Sequence, residues 1–141
     1  MCSSDLDFIA GLGGAATWPL AARAQQRERM RRIGILLSSM SDDPVFQTWR
    51  DAFLQGLAPY WIIGRNVQID TRWAGFKADD IRRHAQELVA LAPEVILTHG
   101  ASSVGPLLQL TRSIPIVFSA ITDPVGLGYV ESLARPCGKS R

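Results

Sequence analysis

Ile33-Gly34-Ile35-Leu36-Leu37 is a short, unbroken apolar run that stops at Ser38-Ser39-Met40-Ser41-Asp42-Asp43-Pro44. A run of this length, closed by loop-forming residues, reads as a strand buried on both faces. Val95-Ile96-Leu97-Thr98-His99, which ends at Gly100, repeats the pattern, as does Pro115-Ile116-Val117-Phe118-Ser119. A fourth segment differs. Val67, Ile69, Thr71 and Trp73 alternate with Asn66, Gln68, Asp70 and Arg72, a period of two that gives a strand one wet side.

Helical spacing fills the gaps between these strands. Phe46, Trp49, Phe53, Leu54 and Leu57 form one stripe, with Asp42 or Asp43 as cap, Pro44 in the first turn and Pro59 beyond the end. Ile81, Ala85, Leu88 and Val89 form a second, with Asp79 or Asp80 near its start, and Val104, Leu107, Leu108 and Thr111 a third. A weaker helix is expected through Leu127, Val130 and Leu133. Strand-helix alternation argues for right-handed βαβ units and a parallel sheet. The alternating strand belongs at an edge and the apolar strands inside. The expected fold is therefore α/β, a flavodoxin-like doubly wound parallel sheet of strand order 2-1-3-4.

Composition agrees with one such domain. The chain has 141 residues, 47% hydrophobic and 20% charged, which excludes a disordered tail, a collagen-like repeat and a coiled coil. The net charge is +2 and the basic residues are scattered, so no stripe for nucleic acid is visible. Cys2 and Cys137 lie at opposite ends and form neither a disulfide framework nor a metal cluster, and His84 and His99 have no metalloprotease spacing. Neither a metal nor a cofactor is implied.

Residues 1–24 belong to another class of sequence. The apolar stretch from Phe8 to Leu20 is too short for a bilayer, which needs about 20 residues, and suits the core of an export signal. Ala22-Arg23-Ala24 matches the small-x-small pattern before a cleavage point, although Met1 to Asp7 carries Asp5 and Asp7 and no basic residue. Gly11-Leu12-Gly13-Gly14-Ala15-Ala16 imitates a dinucleotide loop, but no strand precedes it and Pro19 breaks the helix that such a loop must open. Residues 25–32 read as a polar lead-in.

Open α/β sheets bind ligands outside the carboxyl ends of their strands, where strand order reverses. The loops there hold Ser38, Ser39 and Met40; His99, Gly100, Ala101, Ser102 and Ser103; and Ser119, Ala120 and Asp123. Gly100 permits close backbone approach, and Ser102 or Ser103 would cap a helix whose N–H groups favour an anion such as a carboxylate. Plainer roles exist for each: Ser102 and Ser103 as caps without a ligand, His99 as a structural side chain, Asp123-Pro124 as a helix start, Trp49 and Phe53 as core, His84 as a solvated face. No nucleophile elbow, Walker loop, Cys-His pair or receiver-type acid cluster is present, so no catalytic residue is assigned.

Several stretches together resemble a family. Trp18-Pro19-Leu20-Ala21-Ala22-Arg23-Ala24-Gln25-Gln26 with Arg32-Ile33-Gly34-Ile35-Leu36, Phe53-Leu54-Gln55-Gly56-Leu57, Gly64-Arg65-Asn66-Val67 and Arg72-Trp73-Ala74 are similar to the ABC-transporter substrate-binding proteins, TrpX-like members of the type I periplasmic-binding group. Ile114-Pro115-Ile116-Val117-Phe118, Asp123-Pro124-Val125 and Ser132-Leu133-Ala134-Arg135-Pro136 extend the likeness. It implies an exported, periplasmic, two-lobed protein that closes on a small solute, such as an amino acid, and hands it to an ABC permease in the inner membrane. It further implies that the turn Gly100-Ala101-Ser102-Ser103 binds the ligand, with a hydroxyl missing at Ala101. On this reading residues 33–136 are the N-terminal lobe, residues 137–141 depart from the family, and the second lobe is absent. An unpaired edge at 116–119 would then favour self-association. The alternative is a cytoplasmic flavodoxin-like enzyme or regulatory domain.

Overall fold

A computed structural model describes residues 30–132 and residue 134. Two compact units divide the chain at Thr122/Asp123. The first, Met30–Thr122, runs β1 (Arg31–Leu37), α1 (Pro44–Leu57), β2 (Val67–Trp73), α2 (Ala78–Ala90), β3 (Val95–His99), α3 (Ala101–Leu110) and β4 (Ile116–Ser119). Its sheet has the order β2-β1-β3-β4 with every pair parallel, as the strand patterns require.

β1 sits between β2 and β3 because its side chains are apolar on both faces. Leu36 points to one side, where Ile96, Ile81, Ala85, Leu88 and Leu107 complete a core beneath α2 and α3. Ile35 and Leu37 point to the other, where Leu97 joins them beneath Phe46, Trp49 and Phe53 of α1. Gly34 faces the α2 side, where an added Cβ would stand 3.3 Å from both Ile96 Cγ1 and Leu88 Cδ2.

α2 carries Asp79 and Asp80 in its first turn, as expected, where carboxylates suit the helix dipole, with Lys77 at the cap position. Three expectations need correcting. Arg31 and Arg32, read as lead-in, already pair with Val67 and Gln68, because a backbone ladder does not require apolar side chains. β4 is not covered on both faces: Val117 is 51% exposed, since β4 is an edge strand and α1 is the helix of this unit that packs on that face. The weak helix through Leu127 and Val130 is absent; hydrogen-bonded turns replace it, as expected with Gly126 in the segment and Gly128 at φ +73°. Leu133, the proposed signal at 1–24, residues 25–29, both cysteines and the 137–141 tail lie outside the described residues.

Gly34→Val forces methyl groups against Ile96 and Leu88 and is expected to cost about 1–3 kcal/mol. Urea unfolding checks this, and an unchanged midpoint would contradict the close approach of α2 to β1.

Candidate functional site

Parallel register brings the strand ends into one row. Leu37 pairs with Trp73 on one side and with His99 on the other, and His99 pairs with Ser119. The loops beyond are tied together by their backbones: Ala74 N–H donates to Leu37 O at 2.8 Å, Gly75 N–H to Ser39 O at 3.0 Å, and Gly100 N–H to Ser119 O at 3.0 Å. Ser38, Ser39, Met40, His99, Gly100, Ala101, Ser102, Ser119 and Ala120 therefore share one edge of the layer. Asp123 belongs to the other unit, where its Oδ1 accepts from Gly126 N–H at 2.8 Å.

Each member has a distinct environment. Ser38 is 7% exposed and its Oγ has no hydrogen-bond partner among the described residues. The Ser39 hydroxyl donates to Asp43 Oδ2 at 2.8 Å, while Asp43 Oδ1 accepts from Val45 N–H at 3.0 Å as the N-cap of α1. That pairing settles the choice between Asp42 and Asp43. The Ser39 hydrogen bond, opposed by desolvation and aided by the backbone N–H groups of Val45 and Phe46, holds the Asp43 carboxyl below its ordinary value. His99 Nδ1 lies 3.0 Å from Ser119 Oγ. Its ring meets Phe46 edge-on at 5.0 Å and Trp49 at 4.9 Å.

The expected serine cap of α3 is not formed. Gly100, at φ +88°, is the N-cap, and neither Ser102 nor Ser103 makes a side-chain cap bond. A left-handed Gly100 carries the chain directly from β3 into the helix. Ser103 then turns inward, fully buried, within hydrogen-bonding contact of Thr98 Oγ1 and the Gly100 carbonyl. Thr98 Oγ1 in turn donates to Leu36 O at 2.9 Å, so a buried hydroxyl pair braces the β3–α3 turn against β1. Ser102 and Met40 are exposed, and Ala120 adopts φ +56°, unusual for a residue with a Cβ.

Sequence reasoning misses two parts of this edge. Helical spacing places Phe46 and Trp49 in the core, yet their rings also reach His99. The β2–α2 turn at Gly75-Phe76 is absent from the expected loops, although all strands of a parallel sheet end at the same edge; Phe76 there is 74% exposed. Among the described residues, no group of three or more His, Cys, Asp or Glu side chains could hold a metal, and no helix is long and apolar enough to cross a membrane.

The open parallel α/β layer with this strand order is shared by flavodoxin-like domains and by a substrate binding protein that superposes on it. The chain belongs to the ABC transporter substrate binding protein family, whose model matches residues 34–139. A tyrosine-binding protein of Clostridioides difficile (strain R20291) is 28% identical over 112 residues, covering 79% of this chain and 32% of the relative. Among solved structures, a conserved domain protein of Vibrio cholerae superposes with TM-score 0.68 at 27% identity, over 74% of this chain and 35% of the other. A ligand-free, open substrate binding protein with adhesive properties from Clostridium difficile gives 0.67 at 25%, again over 74% and 35%. An ABC domain from Streptococcus pneumonia in complex with L-Trp gives 0.69 at 23%, over 76% and 36%, a likeness of fold. The chain spans about a third of the length of the relatives it matches.

Because the Asp43 carboxyl titrates below its unfolded value, its contribution to stability is complete above the ordinary carboxylate range. It is lost as pH falls through the lowered folded-state value. Asp43→Ala is expected to lower the melting temperature at neutral pH, and the gap from wild type should close in acid. A gap that persists unchanged in acid would rule out the carboxylate cap.

Proposed function

We propose that this chain is one wall of a solute-binding cleft of an ABC uptake system, with the solute held at the strand-end edge by the loops after β1, β3 and β4. The observation that carries the reading is Ser38, whose buried Oγ lacks a partner among the described residues at that edge. An unsatisfied buried hydroxyl costs about 1–3 kcal/mol, a cost that a solute's polar group removes on binding. Ser39, Met40, His99, Gly100, Ala101, Ser102, Ser119 and Ala120 supply the remaining proposed contacts, with Ser103 bracing the turn from behind; Asp123, in the other unit, is not counted among them. His99 with Phe46 and Trp49 offers an aromatic flank. Relatives described by tyrosine and L-Trp make an aromatic amino acid the first class to test. Family membership supports delivery to a permease and a periplasmic location, and the pattern of residues 1–24 supports an export signal.

A single wall leaves half the solute's surface in water, so affinity in the millimolar range is expected for this chain alone. Titration with L-tyrosine and L-tryptophan, followed by amide chemical shifts, should move Ser38, Gly100, Ser119 and Ala120 and leave Arg31 and Val67 in place. Ser38→Ala should weaken binding by about five- to tenfold, equivalent to roughly 1–1.4 kcal/mol, without lowering stability. Absence of shifts at saturating solute, or unaltered affinity in the variant, would refute the assignment. Self-association along the β4 flank, supported by half-exposed Val117 on an edge strand, belongs to the same proposal; sedimentation showing only monomer at high concentration would contradict it.

A further inference from the structure

The opposite pole of the sheet, where the strands begin, carries an apolar feature that the solute cleft does not use. The α1–β2 connection is Ala58-Pro59-Tyr60-Trp61-Ile62-Ile63-Gly64-Arg65-Asn66. Tyr60 is 78% exposed, Ile62 52% and Ile63 54%, and Met30, just before β1, 45%. Four large apolar side chains in water at one place are an unusual surface for a protein of this size.

The exposure is built in. Tyr60 and Trp61 N–H both donate to Leu57 O at 2.9 Å, which fixes the departure from α1. Ile62 N–H donates to Asn66 Oδ1 at 2.7 Å, Arg65 N–H donates to Ile62 O at 3.0 Å, and Gly64, at φ +82°, donates to Val67 O at 2.8 Å. The turn is closed by its own hydrogen bonds, so the isoleucines cannot roll inward without breaking it. The guanidinium of Arg31 lies 5.2 Å from the Trp61 ring and ties the loop to the start of β1.

Charge accompanies the apolar tip. The starting edge of the sheet holds Arg31, Arg32, Arg65 and Arg112 against Glu94 and Asp70. Arg31 is paired with Glu94 and Arg32 with Asp70, whereas Arg65 and Arg112 have no ion pair among the described residues. The strand-end pole has the reverse balance, with Asp42, Asp43 and Asp79 against Lys77. An exposed loop of tyrosine and two isoleucines, with half-buried Trp61 between them and Arg65, which has no ion pair among the described residues, matches the zone between acyl chains and anionic headgroups. A second copy of this chain would set the same basic surface against itself.

We propose that the Tyr60–Arg65 loop docks on an anionic phospholipid surface, with Tyr60, Ile62 and Ile63 entering the interface and Arg65 meeting a phosphate. The cleft edge, at the far end of the strands, then faces away from the bilayer surface and stays open to solute.

The test uses the full 141-residue chain and flotation with vesicles of phosphatidylglycerol and phosphatidylcholine, against phosphatidylcholine alone. Expected is about tenfold more protein on the anionic vesicles at low salt, falling as salt rises, since surface arginines are drawn to anionic headgroups and salt screens that attraction. Ile62→Ser with Ile63→Ser, and separately Arg65→Glu, should each remove most of this preference while far-ultraviolet circular dichroism stays unchanged. Arg82→Glu, an exposed substitution on α2, controls for net charge and should leave most of the binding. Equal binding by all variants would assign the affinity to the apolar Phe8–Leu20 stretch and overturn the proposal. So would loss of the preference in Arg82→Glu equal to that in Arg65→Glu, or retention on a polyglutamate column with no vesicle binding, which would point to an acidic protein partner.

Discussion

Everything in this molecule depends on the position of β1 between two parallel neighbours. A strand in that place must be apolar on both faces and must present its backbone on both edges. Ile33-Gly34-Ile35-Leu36-Leu37 meets the first condition and the ladders to β2 and β3 the second. Burial of Leu36 on one side and of Ile35 and Leu37 on the other then assigns the helices to their layers. With the directions of three strands set by one, the residues that end them fall into a single row. The candidate cleft wall is that row and the loops beyond it. Its composition follows from strand pairing and not from any local motif.

The topology was legible because strand character is a local property with a global meaning. A period-two segment such as Val67–Trp73 can only be an edge in a sheet otherwise made of apolar strands, and it pairs where that rule puts it. Helix stripes were legible for the same reason. What escaped was governed by backbone geometry or by one-sided coverage. Nothing in Ser102 and Ser103 announces that Gly100 will occupy the cap position and turn Ser103 into the interior; that depends on a left-handed φ and on Thr98 waiting beneath it. Val117 reads as interior by residue type, yet it lies half exposed because no second helix of its unit covers that face.

The candidate site was legible in position and less so in content. The rule that open sheets bind at their carboxyl edge named loops that do lie side by side, without any knowledge of side-chain contacts. It could not foresee that Ser39 would be committed to Asp43 while its neighbour Ser38 remained without a partner, a difference decided by which way each successive side chain leaves the strand end. Nor could helical periodicity show that Trp49 serves two purposes. Its ring packs beneath α1 and also closes against His99, because α1 starts beside the end of β1 and runs back across the sheet.

Of the four strands in this sheet the central one is made first, and its partner β3 lies far along the chain: Leu36 and Thr98, joined by a hydrogen bond in the finished sheet, are 62 residues apart. At a synthesis rate of about 5–20 residues per second, the ribosome needs roughly 3–12 s to deliver that partner. During this interval the stickiest segment of the nascent polypeptide has one neighbour at best. Such a delay leaves β1 with an open backbone edge for seconds, the condition in which an apolar strand is most exposed to wrong pairing.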